Sequence, residues 1–299
     1  MPAQLIVNAD DFGLTQGVNR AIAELHKAGV LTSTTLMATG AAFADAVEIA
    51  RRHPTLGVGC HIVFTDGTPA ADPATIPSLL GPDRKNLHPS LAQFALDALR
   101  GRIDPDDLTR EAVAQIRYIQ AAGLTPTHAD THKHTHIFPG ILRSVLRALE
   151  QTGVPAIRNP FEPTWTHALG QGGFLRRAQL TLLRSLRPRF HAVRRALAQS
   201  TVQTTNGSIG VSATGDLTPK TLHQLLRALP SEGVYELVCH PGYNDQELGK
   251  TTTRLRQHRE VERDALLTCL AERLAQPNPP QLIHYQDLAK RLVTSPNLA

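Results

Sequence analysis

The chain has 299 residues, 41% hydrophobic and 19% charged, enough to bury a sizeable core in one large α/β domain and too apolar for a disordered protein. The net charge of +5 is local: no acid lies between Glu162 and Asp216, where Arg176, Arg177, Arg184, Arg187, Arg189, Arg194 and Arg195 all fall. With only Trp165, Phe174 and Phe190 there to stack on bases, this speaks against nucleic-acid binding. No apolar run approaches the roughly 20 residues of a membrane span, the N-terminus carries no secretory leader, and Cys60, Cys239 and Cys269 form no disulfide framework, so a cytoplasmic location is expected.

Apolar runs of strand length alternate with helical periodicity, the pattern of βα units around a parallel sheet. Residues 5–8 read as strand and 18–28 as helix, then 32–37 as strand and 44–51 as helix, then 57–64 as strand. Helices are expected at 91–99 and 106–122, the second opened by Asp104-Pro105-Asp106-Asp107, whose acids suit a helix N-terminus. A strand at 125–131, a helix at 140–152 and a strand at 154–158 follow. Beyond an irregular middle come a helix at 217–229 opened by Thr218-Pro219, a strand at 234–239, a helix within 254–274 and a last strand at 281–285. Seven or eight such units suit a distorted (β/α) TIM-like barrel better than an open sheet. The expected organisation is a single domain over residues 1–299 with an arginine-rich helical insertion at about 164–200, and chemistry in such folds gathers at the carboxyl ends of the strands.

The residues able to do chemistry fall at those ends. Asp10 and Asp11 follow the first strand directly, where a bend lets adjacent carboxylates reach one cavity; alone, the pair equally suits a turn and a helix cap. His61 lies in the strand at 57–64 and His240 ends the strand at 234–239 before Pro241-Gly242. Strand alternation sends Cys60 and Cys239 to the faces opposite these histidines, so both read as packing residues. Residues 127–136 hold His128, Asp130, His132, His134 and His136, which an extended chain would place on one face. Imidazole at this density points to metal or proton chemistry.

These motifs, Ile6-Val7-Asn8-Ala9-Asp10-Asp11-Phe12-Gly13, Gly59-Cys60-His61, the run Thr127 to His136 and Cys239-His240-Pro241, resemble in order and kind those of the YdjC-like carbohydrate deacetylases. Ala156-Ile157-Arg158-Asn159-Pro160-Phe161-Glu162 and the arginine-rich middle are similar to the hopanoid-biosynthesis-associated branch. The resemblance implies a polysaccharide-deacetylase-like barrel that holds one divalent ion and removes the acetyl group from an N-acetylamino sugar, here an N-acetylglucosaminyl hopanoid. It assigns Asp11, His61 and His132 as ligands, Asp10 as the base acting on water and His240 as the acid for the departing amine. Lys133 replaces a histidine common in chitooligosaccharide-cleaving relatives, which bears on substrate more than on chemistry.

Two imidazoles and one carboxylate leave an open coordination position, as hydrolytic sites require. They suit zinc, with magnesium, manganese and nickel also compatible. Arg158 is expected to steady Asp10 or the substrate, and His128, Asp130, His134 and His136 to support the ligands or touch the sugar. Residues 164–200 read either as a solvated amphipathic cover or as a surface resting on anionic lipid at the inner membrane face. The alternatives are a chitooligosaccharide deacetylase, a metal-dependent phosphoesterase or amidohydrolase, and a non-catalytic sugar- or metal-binding protein; the last is disfavoured by Asp10 and His240, which binding alone does not need. Oligomeric state stays open, a homodimer included.

Overall fold

The central strand β1 (Gln4–Phe12) is buried along its whole length, as a strand covered on both faces must be, and its Leu-Ile-Val run supplies the apolar surface for that. In a computed structural model that describes residues 3–169, 183–197 and 202–288, it lies amid β2 (Ser33–Leu36), β3 (Gly57–Ile62), β4 (Ala129–Thr131), β5 (Gly207–Ile209), β6 (Val234–Cys239) and β7 (Gln281–Leu282). All pairings are parallel, in the order β4-β3-β2-β1-β6-β5, and β7 pairs with Gln4 and Leu5 before β2 takes over at Asn8. Past β4 the ring continues through isolated bridges, Ala129 to Ile157 and Ala156 to Gln203, and the chain from Gln203 then runs into β5 beside β6. The sheet is thus a parallel half-barrel whose gap is closed by single bridges.

Strand alternation divides the interior into two zones. Leu5, Val7 and Ala9 face the helices in the main apolar core, which also takes Cys60 and Cys239, both free thiols. Ile6 points the other way, into a small cluster with Ala156, Ile283, Tyr285 and Leu288 that plugs the bottom of the barrel. Above that plug the inward positions are polar.

The surrounding helices follow the sequence signals closely. Helix α1 (Gln16–Lys27) is capped by Thr15, whose hydroxyl accepts from the Val18 amide, and α2 is Phe43–Arg52. Helices α3 (Leu91–Leu99) and α4 (Pro105–Ala121) follow, the latter capped by Asp104. Helix α5 (Pro139–Thr152) packs beside α4. Helix α6 (Arg187–Leu197) lies on α5 through buried Phe190 and Val193, with Arg189 and Arg195 outward. Helix α7 (Pro219–Arg227) is capped by Thr218. Helix α8 (Gln257–Ala265) continues through a π turn at Leu266–Leu270. The rest of the expected insertion, 170–182 and 198–200, with Arg176, Arg177 and Phe174, lies outside the described residues.

Three strand expectations need correction. The fourth strand, expected at 125–131, keeps only Ala129–Thr131. Beyond it the chain folds back on Thr131, whose hydroxyl accepts from the His136 amide at 3.0 Å and meets His136 Nδ1 at 2.6 Å. Lys133 and His134 then take positive φ, 58° and 52°. The histidines of this run therefore do not share one face. The strand expected at 154–158 reduces to bridges at Ala156 and Ile157, and the last strand stops at Leu282 because Tyr285 turns into the barrel to reach Glu236. No helix among the described residues is long and apolar enough to cross a membrane.

Candidate metal centre

Asp10 and Asp11 reach one cavity because β1 breaks register between Ala9 and Phe12 and Asp11 takes φ 66°. A non-glycine residue in the left-handed region is strained, and here the strain turns two neighbouring carboxylates to different partners. Asp11 Oδ1 faces His61 Nε2 at 3.4 Å and His132 Nδ1 at 3.5 Å, and the two nitrogens lie 3.2 Å apart. Ligand atoms about 2.0–2.2 Å from one ion at tetrahedral angles would be about 3.3–3.6 Å apart, so this triangle has the right edge length. Asp11 Oδ1 is also buried without a hydrogen-bond partner, a costly arrangement unless something positive completes it. The residues present fit a divalent ion.

Behind two of the ligands, His61 and Asp11, stands a group that orients each. His61 Nδ1 meets Asp130 Oδ1 at 2.7 Å, the carboxylate–histidine arrangement that fixes a ligand's tautomer. Burial alone would lower the His61 pKa, but the charges and hydrogen bonds of Asp130 and Asp11 raise it to about 10 in the metal-free protein. Burial likewise opposes ionisation of Asp11, yet the Arg259 guanidinium and the two imidazoles hold its carboxyl well below the usual range. Arg259 Nη2 donates to Asp11 Oδ2 at 2.6 Å. The His132 side chain keeps a quarter of its surface exposed, so the triangle opens to solvent on that side.

A second triad, Asp10, His61 and Asp130, is also close enough to hold an ion. Its two carboxylates already share a cation, and the Thr35 hydroxyl lies 3.2–3.4 Å from all three members. Arg158 donates through Nη2 to Asp10 Oδ1 at 2.6 Å and through Nη1 to Oδ2 at 2.8 Å, pairs with Asp130, and reaches Glu236 Oε1 through Nε at 2.8 Å. Despite burial, this guanidinium holds the Asp10 carboxyl below its ordinary value. His240 completes the rim, its Nε2 3.7 Å from Asp10 Oδ2. Glu262 lies behind it, accepting from the His240 amide at 2.6 Å with its carboxylate 3.9 Å from Nδ1.

The structure thus brings Asp10, Asp11, His61, His132 and His240 to one end of the barrel. Three residues whose expected roles included contact with substrate, Arg158, His128 and His136, are each fully buried and take the other role, Arg158 on Asp10. Arg158 is spent on carboxylates. His128 stacks on Tyr285 at 3.9 Å and meets Asn8 Oδ1 at 3.1 Å, and His136 is tied to Thr131 and packs against Phe190. They support the site from beneath. Sequence reasoning missed Glu236, Arg259, Glu262 and Tyr285. A carboxylate in the middle of the apolar strand Val234–Cys239 signals a buried partner, and Arg259 and Glu262, three apart, share one helix face.

Comparison with known proteins agrees with this architecture. The YdjC-like protein family matches residues 4–274. A carbohydrate deacetylase of Brevibacillus brevis is 32% identical over 285 residues, 95% of this chain and 99% of that one. A chitooligosaccharide deacetylase of Salmonella schwarzengrund is 39% identical over 156 residues, 52% of this chain and 58% of its own length. The crystal structure of an Enterococcus faecalis protein, provisionally described as a cellobiose-phosphate cleavage protein, superposes with a TM-score of 0.77 at 26% identity, covering 97% of this chain and all of that one. With a family match and a full-length relative both in hand, the chain belongs to the YdjC-like protein family.

Proposed function

We propose that this chain is a divalent-metal-dependent N-deacetylase that hydrolyses the acetamide of an N-acetylamino sugar. The observation that carries the reading is the triangle of Asp11 Oδ1, His61 Nε2 and His132 Nδ1, edges 3.2–3.5 Å, with Asp10 and His240 beside it. The relatives named carbohydrate and chitooligosaccharide deacetylase set the substrate class. A bound divalent ion supplies an acidified water and polarises the acetyl carbonyl. Asp10, ionised and clamped by Arg158, accepts the proton of the attacking water. His240 hands a proton to the nitrogen, since an amine leaves poorly unless protonated. In the neighbouring Asp10–His61–Asp130 triad both carboxylates are already paired with Arg158, which favours one ion over the two-ion arrangement of many phosphoesterases.

Within this class the substrate we favour is an N-acetylglucosaminyl hopanoid reached at an anionic membrane surface, with zinc as the ion. The supporting features are the motif around Arg158 and the arginines of 164–200, of which Arg189 and Arg195 are exposed. The Salmonella relative favours a second substrate, chitooligosaccharide. Acetate release from an N-acetylglucosaminyl hopanoid and from chitobiose, with metal counted per chain, separates the two: turnover of the lipid alone supports the first, of chitobiose alone the second. Absence of acetate from either, with one ion bound, overturns the deacetylase reading.

A further inference from the structure

Helix α8 carries a buried arginine that the proposed chemistry does not use. Arg259 is wholly buried. Its Nε donates to the Leu255 carbonyl at 3.0 Å, which fixes the guanidinium plane, and its Nη2 donates to Asp11 Oδ2 at 2.6 Å across 248 residues of sequence. The arginine stem passes against Gly242: a Cβ there would lie 3.0 Å from Arg259 Cδ and 3.1 Å from Val18 Cγ2. The glycine of the Cys-His-Pro-Gly turn thus leaves room for the arginine stem.

The two oxygens of Asp11 are therefore unlike. Oδ2 is committed to Arg259, and Oδ1, with no partner of its own, faces the two imidazoles. A free carboxylate beside a divalent ion can swing to bind through both oxygens, filling a position that water or the acetyl oxygen needs. Asp11 also sits at φ 66°, a conformation that persists only when its surroundings hold it.

We propose that Arg259 is a positioning residue that restricts Asp11 to one-oxygen ligation, keeping a coordination position of the ion open. This rests on the metal reading above. It predicts that orientation, more than charge, is what Arg259 supplies, because its Nε anchor directs Nη2 onto one oxygen.

The test uses the full chain loaded with Co(II), whose visible absorption weakens in steps from four- to five- to six-coordinate ions. Arg259→Gln should weaken the bands toward a higher-coordinate pattern and lower Co(II) affinity about 10–100-fold, the usual cost of losing a ligand's outer partner. Arg259→Lys should recover part of both. Gly242→Ala, which displaces the stem without removing charge, should shift the spectrum in the same direction, and serves if Arg259→Gln fails to fold by circular dichroism. An unchanged spectrum and affinity in Arg259→Gln, or in Gly242→Ala where the former does not fold, overturns the role of Arg259 and leaves the metal reading standing. A wild-type chain that takes up no Co(II) overturns both.

Discussion

Asp10 and Asp11 are adjacent in the chain yet play different parts, because the break in β1 register and the left-handed Asp11 backbone separate their partners. Asp10→Asn should therefore keep the metal and lose turnover by about 10²–10⁴-fold, the usual share of a general base, whereas His132→Ala should lose the metal itself; metal analysis and acetate release on the same samples check both. Arg158 makes a sharper test of the buried network. Arg158→Met leaves Asp10, Asp130 and Glu236 without their common cation, and breaking a buried ion pair costs about 3–5 kcal/mol, read as a large drop in melting temperature. The aspartates and histidines of the site were legible because titratable groups at strand ends stand out against apolar neighbours. Arg259 was not, since its spacing from Glu262 marks a shared helix face but does not point to a partner 248 residues away.

At the scale of elements, β3 shows what alternation can and cannot deliver. It correctly separates Cys60 from His61, and it puts Gly59 inward, under the His128 ring. A Cβ on Gly59 would lie 2.4–2.8 Å from three atoms of that imidazole, so Gly59→Ala must displace His128 from its stack on Tyr285. A destabilisation of at least 1–3 kcal/mol is expected, the range for overpacking, measurable by urea unfolding. The same rule failed in the histidine run because alternation holds only while the chain stays in the sheet. Thr131 ends the ladder through its side chain, a competition between local hydroxyl bonds and strand pairing that periodicity does not register. The strands expected at 154–158 and 281–285 shortened because Ala156 and Ile157 pair only through isolated bridges and because Tyr285 is bonded to Glu236 at 2.5 Å inside the barrel.

Across the whole molecule, the barrel interior is polar above its small apolar plug, and this ties stability to pH. Burial pushes the His128 imidazole down to about 3, against about 6.5 in the unfolded chain. Below 6.5 the unfolded state binds a proton that the folded state refuses, so stability falls as pH falls, by about 1.4 kcal/mol per unit, until the folded value is reached. Between pH 7 and pH 5 this amounts to about 2 kcal/mol, and His128→Asn should remove that share of the slope in paired urea melts. His61, with its value raised to about 10, acts in the other window: it contributes stability below 6.5 that is lost as pH rises through 10.

The barrel's closure by lone bridges at Ile157 and Gln203 makes the wall uneven, a long ladder at β1 and β6 facing a seam stitched at two points. The arginine-rich stretch is spliced in between those stitches, where added length disturbs no register. Brief local opening should begin there, so deuterium should enter the amides of Ile157 and Gln203 well before those of the β1–β6 ladder.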